Sequence, residues 1–322
     1  MKLTEITIEL TQQCPNKCVH CSSLSSIAGR ALLPTEKIFE VIDDAILMGC
    51  RSINLSGGEP FLHRNLTAIV EHIVERGGNC NIYTSGICLK DGVPSSIPVR
   101  LIEQLRGKVS KYIVNVEASD ESTYDLIMGT SFHGFDMMKR FISNLVLMGE
   151  NVEAHFVPMK LNYHQIPSVV EMCHEMGITR VSFLRFVAQG RGLDNVTSLE
   201  MDETDFKTAV SLMKECSNRY KNEIRRGIPF HECEKRVNCF AGVAKLNVRY
   251  DGNVYPCEAF KNDQPTNINH ASADNVAVHR LIDIYEDSKS LKEFRQWLEL
   301  YQRVQTCETC FAQYLSQKNN CI

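Results

Sequence analysis

Three cysteines near the start of the chain, Cys14, Cys18 and Cys21, fall within the stretch Cys-Pro-Asn-Lys-Cys-Val-His-Cys. Soft thiolates at this C-x3-C-x2-C spacing suit an iron–sulfur cluster or a zinc ion, although zinc usually closes with a fourth ligand in two paired knuckles. Three thiolates on a four-iron cluster leave one iron without a protein ligand, and an open coordination site is where a metal does chemistry. Further on, Ser56-Gly57-Gly58-Glu59-Pro60 combines two glycines, which let backbone approach a ligand closely, with a carboxylate suited to an ammonium group. A second set of thiols, Cys239, Cys257, Cys307 and Cys310, lies near the other end, flanked by Cys233 and Cys321.

The elements that must position these residues alternate. Short apolar strands are expected at Glu5–Leu10, Ser52–Leu55, Asn79–Tyr83, Lys111–Val116, Glu153–Pro158 and Arg180–Phe186, each followed by a longer helix-like stretch. After Pro34, Ile38, Val41, Ile42, Ala45 and Ile46 make one apolar helix face, with Thr35 placed to cap it and Gly49 to end it. Strands separated by helices imply parallel pairing through right-handed crossovers. Six units are too few for a closed eight-fold barrel, so the fold class is α/β, an open partial (β/α)6 barrel of TIM type. Active residues then belong at the C-terminal strand ends, where Cys14 to Cys21 follow strand one. Ala188-Gln189-Gly190-Arg191-Gly192 breaks the alternation, a helix near Asp202–Arg219 follows, and a hairpin is expected with Leu246–Tyr250 and Val254–Tyr255 around Asp251-Gly252. The expected division is a core over 1–195, a bridging helical segment over 196–230 and a small cysteine-rich domain over 231–322.

Composition narrows the function classes. Hydrophobic residues at 43% and charged residues at 23% are ordinary for a globular enzyme, and a net charge of −4 carries no nucleic-acid footprint. No apolar run approaches the ~20 residues of a membrane span, and no signal sequence opens the chain, so a cytoplasmic protein is expected. In a reducing compartment the 14 cysteines are ligands, reactive thiols or core residues, with Cys50, Cys80 and Cys173 in apolar patterns that suit the core.

The C-x3-C-x2-C loop and the Gly-Gly-Glu-Pro turn one β/α unit later resemble the radical S-adenosylmethionine (SAM) superfamily. The resemblance implies a [4Fe-4S] cluster held by Cys14, Cys18 and Cys21, whose free iron chelates the amino and carboxylate groups of SAM. One electron then cleaves SAM to a 5′-deoxyadenosyl radical that abstracts hydrogen from a substrate. It also places Ser56, Gly57, Gly58 and Glu59 at the methionine amino group, His20 near the adenine, and Thr84 at a ligand-facing turn. Asn115 and Glu117 stand at positions that reach the ribose or the substrate, Glu117 as a candidate catalytic residue, and Arg185 is placed to pair with the SAM carboxylate. The C-x12-G-x4-C and C-x2-C tail resembles the SPASM/Twitch extension. With Ser316 where a further cysteine would fall, it is closer to Twitch, implying one auxiliary [4Fe-4S] cluster on Cys239, Cys257, Cys307 and Cys310. Cys233 and Cys321 are then reserve ligands, or thiols that return hydrogen in an epimerisation.

This family implies an electron donor such as flavodoxin or ferredoxin. The leading expectation for the substrate is a ribosomally made peptide, to be cross-linked, epimerised or oxidised. A strand starting almost at Met1 leaves no separate leader-binding domain ahead of it, which counts against that expectation. The alternatives are radical oxidation or epimerisation of a carbohydrate or aminoglycoside and, outside enzymes, a zinc-stabilised binding module. The ending Asn320-Cys321-Ile322 lacks the Gly-Gly tail of molybdopterin-type cyclases.

Overall fold

The computed structural model describes residues 2–178, 180–220, 223–227, 230, 239–261 and 274–304. Its strands are β1 (Glu5–Glu9), β2 (Ser52–Ser56), β3 (Asn79–Thr84), β4 (Ile87–Lys90), β5 (Val93–Ser96), β6 (Val109–Asn115), β7 (Val152–Phe156), β8 (Arg180–Phe183), β9 (Glu223–Arg226), β10 (Lys245–Val248) and β11 (Val254–Tyr255). The six expected strands are present as β1-β2-β3-β6-β7-β8, neighbours in that order and all parallel. The sheet then continues past both edges. β9 adds parallel to β8, β10 adds parallel to β1, and β11 returns antiparallel to β10, making nine strands in all. The stretch expected to be a helical bridge therefore contains a sheet strand as well as its helix, Glu203–Arg219. The expected hairpin forms as β10 and β11.

Each core strand alternates, and the two faces differ in kind. One row runs Ile8, Leu55, Ile82, Tyr112 and Val152 in register, with Ile6, Ile53, Val114, Ala154, Phe156, Val181 and Phe183 on the same face, all buried beneath the helices. The other face carries Glu5, Thr7 and Glu9, then Ser52 and Asn54, Asn81, Lys111, Glu153 and His155, Arg180 and Ser182. A closed barrel fills its interior with branched apolar side chains; this open one lines it with polar groups.

Helix Thr35–Leu47 begins at the expected place, but Pro34 occupies the cap position without a side-chain bond. The Thr35 hydroxyl instead accepts a hydrogen bond from Asn65 Nδ2 at 2.9 Å. Gly49 follows the helix at φ +91°, in the left-handed region. Cys50, Cys80 and Cys173 are fully buried, as their apolar surroundings suggested, and none of the ten described cysteines forms a disulfide. A second small core of Ala241, Phe260, Phe294, Leu298 and Tyr301 packs helix Lys289–Val304 against the residues around Cys239 and Cys257. Among the described residues no helix is long and apolar enough to cross a membrane.

Candidate active site

The cysteine loop leaves β1 at its C-terminal end and is held from several sides. Cys14 N–H donates to Ser26 O at 3.0 Å, Lys17 N–H to Met128 O at 3.1 Å, and Val19 N–H to Ile127 O at 2.8 Å. Gly129, at φ +63°, ends helix Glu121–Met128, and a Cβ there would sit 2.4 Å from Lys17 O. On the far side Arg191 donates through Nε to Cys18 O at 2.8 Å and through Nη2 to Ser25 O at 2.7 Å. A Cβ on Gly190 would lie 2.6 Å from Cys21 O, so the break in the alternation is a clamp seated directly on the loop.

Cys14, Cys18 and Cys21 line a cavity of about 250 Å³, together with Asn16, His20, Ser25, Ser56, Gly57, Gly58, Thr84, Ser85 and Asn115. Of the expected ligand-facing residues, His20, Ser56, Gly57, Gly58, Thr84 and Asn115 thus share one wall. The glycines also serve the protein itself, since a Cβ on Gly58 would lie 2.1 Å from Gln13 O and one on Gly57 2.6 Å from Thr11 O. They let the turn after β2 dock on the cysteine loop, with Glu59 N–H donating to Gln13 O at 2.9 Å.

Three of the expected residues are not on this wall, although Glu117 Oε1 stands 3.6 Å from His20 Nε2, which is. Glu59 is fully buried and off the wall, because its carboxylate accepts from Thr84 Oγ1 at 2.7 Å, Ser85 Oγ at 2.8 Å and Ser85 N–H at 3.0 Å. Glu117 is likewise buried and off the wall, accepting from Val157 N–H at 2.9 Å and Asn115 Nδ2 at 3.3 Å. Burial pushes both carboxyls up to about 7, against the pull of these donors. Arg185, past the end of β8, is not among the residues that line this cavity, whereas its neighbour Leu184 is.

The lysine or arginine that does reach the wall, among the described residues, is Lys261. It donates to Glu9 Oε1 at 2.6 Å and Ser23 Oγ at 2.8 Å, while Tyr250 O–H donates to Ser23 O at 3.0 Å. Sequence reading missed Lys261, Arg191, Asn16, Ser25 and His155. Only Arg191 had a local signal, in the Gly190-Arg191 pair.

Burial, and the charge of the neighbouring thiols after it, raises the Cys14 and Cys18 thiols, so filling this site displaces protons. Burial lowers His20 to about 4, leaving the ring neutral. In the tail, Cys239 and Cys257 pack against one small core, and Gly242 N–H donates to Pro256 O at 2.8 Å between them. Cys233, Cys307, Cys310 and Cys321 lie outside the described residues.

The sequence model of the Radical SAM superfamily matches residues 8–173, more than half of the 322-residue chain. The chain belongs to the radical SAM superfamily. A model described as an iron-sulfur cluster-binding domain, SPASM, matches residues 239–311. Among curated relatives, a PqqA peptide cyclase of Granulibacter bethesdensis is 24% identical over 310 residues, covering 94% of this chain and 78% of that protein. One from Methylocella silvestris is 26% identical over the same shares. Among solved structures, Streptococcus suis SuiB bound to S-adenosylmethionine superposes with a TM-score of 0.72 at 19% identity, covering 91% of this chain and 68% of that one. SuiB bound to its precursor peptide SuiA gives 0.71 at 18%, over 91% and 67%.

This radical SAM chain fits its family's cofactors by its own donor set. Cys14, Cys18 and Cys21 border one cavity, a soft three-thiol donor set of the kind an iron–sulfur cluster takes. Asn16 Nδ2 and Oδ1, His20 Nδ1 and Ser25 Oγ are buried on that wall without hydrogen-bond partners. Buried polar atoms cost about 1–3 kcal/mol each when unpaired, and a ligand carrying an amine, a carboxylate, a ribose and an adenine can satisfy them.

Proposed function

We propose that this chain is a radical SAM enzyme that modifies a ribosomally made peptide. The observation that carries the reading is the convergence of Cys14, Cys18 and Cys21 on one cavity wall with Asn16, Ser25 and His20, whose side-chain amide, hydroxyl and Nδ1 are buried without hydrogen-bond partners among the described residues. When bound, the cluster and SAM supply an electron and a 5′-deoxyadenosyl radical able to take hydrogen from carbon.

This chain's residues bind and orient. Cys14, Cys18 and Cys21 hold the cluster, while His20, Ser56, Gly57, Gly58, Thr84 and Asn115 border SAM. Glu59 acts one step back by fixing Thr84 and Ser85, and Glu117 does the same for Asn115. Lys261 brings positive charge from the C-terminal part to the cluster side of the cavity.

Cys239, Cys257, Cys307 and Cys310 are assigned to one auxiliary [4Fe-4S] cluster, and the 239–311 match encloses all four while leaving Cys233 and Cys321 outside it. Those two remain the thiols available to return hydrogen if the reaction is an epimerisation. The working division is a core over 1–195, a bridge over 196–230 and a cluster domain over 231–322. Relatives named for cyclising a peptide, aligned along 94% of the chain, support the peptide substrate. A flavodoxin or ferredoxin as electron donor and a cytoplasmic setting complete the reading.

The test is the triple substitution Cys14→Ala, Cys18→Ala, Cys21→Ala. Iron should fall from about eight to about four per chain, because the auxiliary cluster keeps its own ligands. Release of 5′-deoxyadenosine under dithionite should stop; continued release would place SAM cleavage elsewhere.

A further inference from the structure

Beside the cavity bordered by the three thiols, the polar face of the sheet lines a second space of about 380 Å³. Ser56, Tyr83, His155 and Leu184 border both spaces, so the two are continuous through a neck. At that neck the rings of Tyr83 and His155 meet edge to face, with centroids 5.4 Å apart.

The charges lining this chamber do not balance. Its described lining carries Lys111, Arg180, Arg225 and Lys245 against Glu5, Glu153 and Glu258. Each acid is already engaged. Glu153 pairs with Lys111 at 2.6 Å and with His155 at 3.1 Å, while Ser182 donates to it and Arg180 stands 3.7 Å away. Glu5 accepts from Lys245 at 3.1 Å and from Asn54 at 3.2 Å, and Glu258 accepts from the Thr7 hydroxyl. Arg225, placed beside Ser182 by the register of β8 and β9, makes no hydrogen bond or ion pair among the described residues. Its charge nevertheless reaches Tyr83 and His155 at the neck. Burial, chiefly, keeps His155 below the ordinary imidazole range, so that ring adds no lasting positive charge.

We propose that this chamber is a substrate subsite for a single carboxylate, anchored by the guanidinium of Arg225. One uncommitted cation matches one negative charge, and three resident carboxylates disfavour a dianion such as phosphate. A guanidinium fork grips a carboxylate through two parallel hydrogen bonds. Arg225 lines the same chamber as Tyr83 and His155, so a carboxylate held there lies in the space that adjoins the SAM cavity. Resting on the peptide reading above, the carboxylate belongs to an Asp or Glu side chain of the peptide; the same chemistry would also admit a free small carboxylic acid.

The test uses protein loaded with cluster and SAM, with binding followed by ligand-observed NMR. The probes are N-acetyl-glutamate N-methylamide, its glutamine counterpart, and butyrate as a free acid of the same chain length. The glutamate probe should bind about tenfold or more tighter than the glutamine probe. Arg225→Gln should erase that preference, and Arg225→Lys should keep part of it. Equal binding of acid and amide by the unaltered protein overturns the proposal, as does a preference that survives Arg225→Gln. The acid–amide comparison needs no variant, so a substitution that fails to fold does not shield the idea. Butyrate binding more tightly than the blocked glutamate would support the carboxylate subsite while removing the peptide as its source. SAM cleavage, read separately as 5′-deoxyadenosine, shows independently whether the enzymatic reading stands.

Discussion

The two faces of the central sheet are built from alternate residues of the same strands, yet they answer to different physics. On the outer face Phe156 and Phe183 are fully buried and meet edge to face, with centroids 5.8 Å apart. On the inner face Asn54 donates to Glu5 and accepts from Asn81, beside an open chamber. Apolar packing there is replaced by hydrogen bonds that water can largely substitute. The outer face therefore holds the strands in place, and the inner face borders the chamber.

The contrast can be broken or sharpened by substitution. Phe156→Ala should cost about 3–5 kcal/mol in urea unfolding, since the helices cannot collapse fully into the space left. A cost below about 1 kcal/mol would mean the outer face is not the stabilising one.

An intermediate effect is expected at Glu117, which joins β6 to the end of β7. Its carboxyl lies at about 7 when folded, above the ordinary value near 4.3 in an unfolded chain. The folded state therefore keeps its proton where the unfolded state has lost it. That contribution is complete below the unfolded value and disappears as pH rises through about 7. Between pH 5 and 8 the cofactor-free chain should lose stability by up to about 1.4 kcal/mol per pH unit more than Glu117→Gln does. Parallel slopes in denaturant titrations would assign the ionisation to another group.

Asn54→Ala should show the smallest effect, about 1 kcal/mol, because solvent in the chamber can replace the lost partner. A loss matching that of Phe156→Ala would erase the difference between the faces.

The same alternation explains what sequence could and could not reveal. The six core strands were legible from their apolar residues, and the cysteine loop and glycine turn from local spacing. β9 was not, because Glu-Ile-Arg-Arg has a single apolar residue and becomes a strand by pairing with β8. The β4–β5 hairpin did have a local signal, Asp91-Gly92 with positive φ at both residues, which was overlooked. Side-chain direction was harder. The backbone of Gly-Gly-Glu-Pro could be read, but not that Glu59 turns toward Thr84 and Ser85, which lie on a different strand end. Lys261 meets Glu9 across 252 residues of chain, and no local pattern encodes such a meeting.

The pairing of β1 with β10 also bears on how the chain is made. β1 takes β2 on one side and, through Glu5 beside Lys245, a strand 240 residues later on the other. At ribosomal speeds of about 5–20 residues per second, tens of seconds separate the synthesis of the two. During that interval the emerging chain has the cysteine loop but lacks Lys261 and Tyr250, which later tie Ser23 in place. The nascent loop thus exists before the residues that fasten Ser23, and the sheet gains its β10 edge only after the cysteine loop has been synthesised.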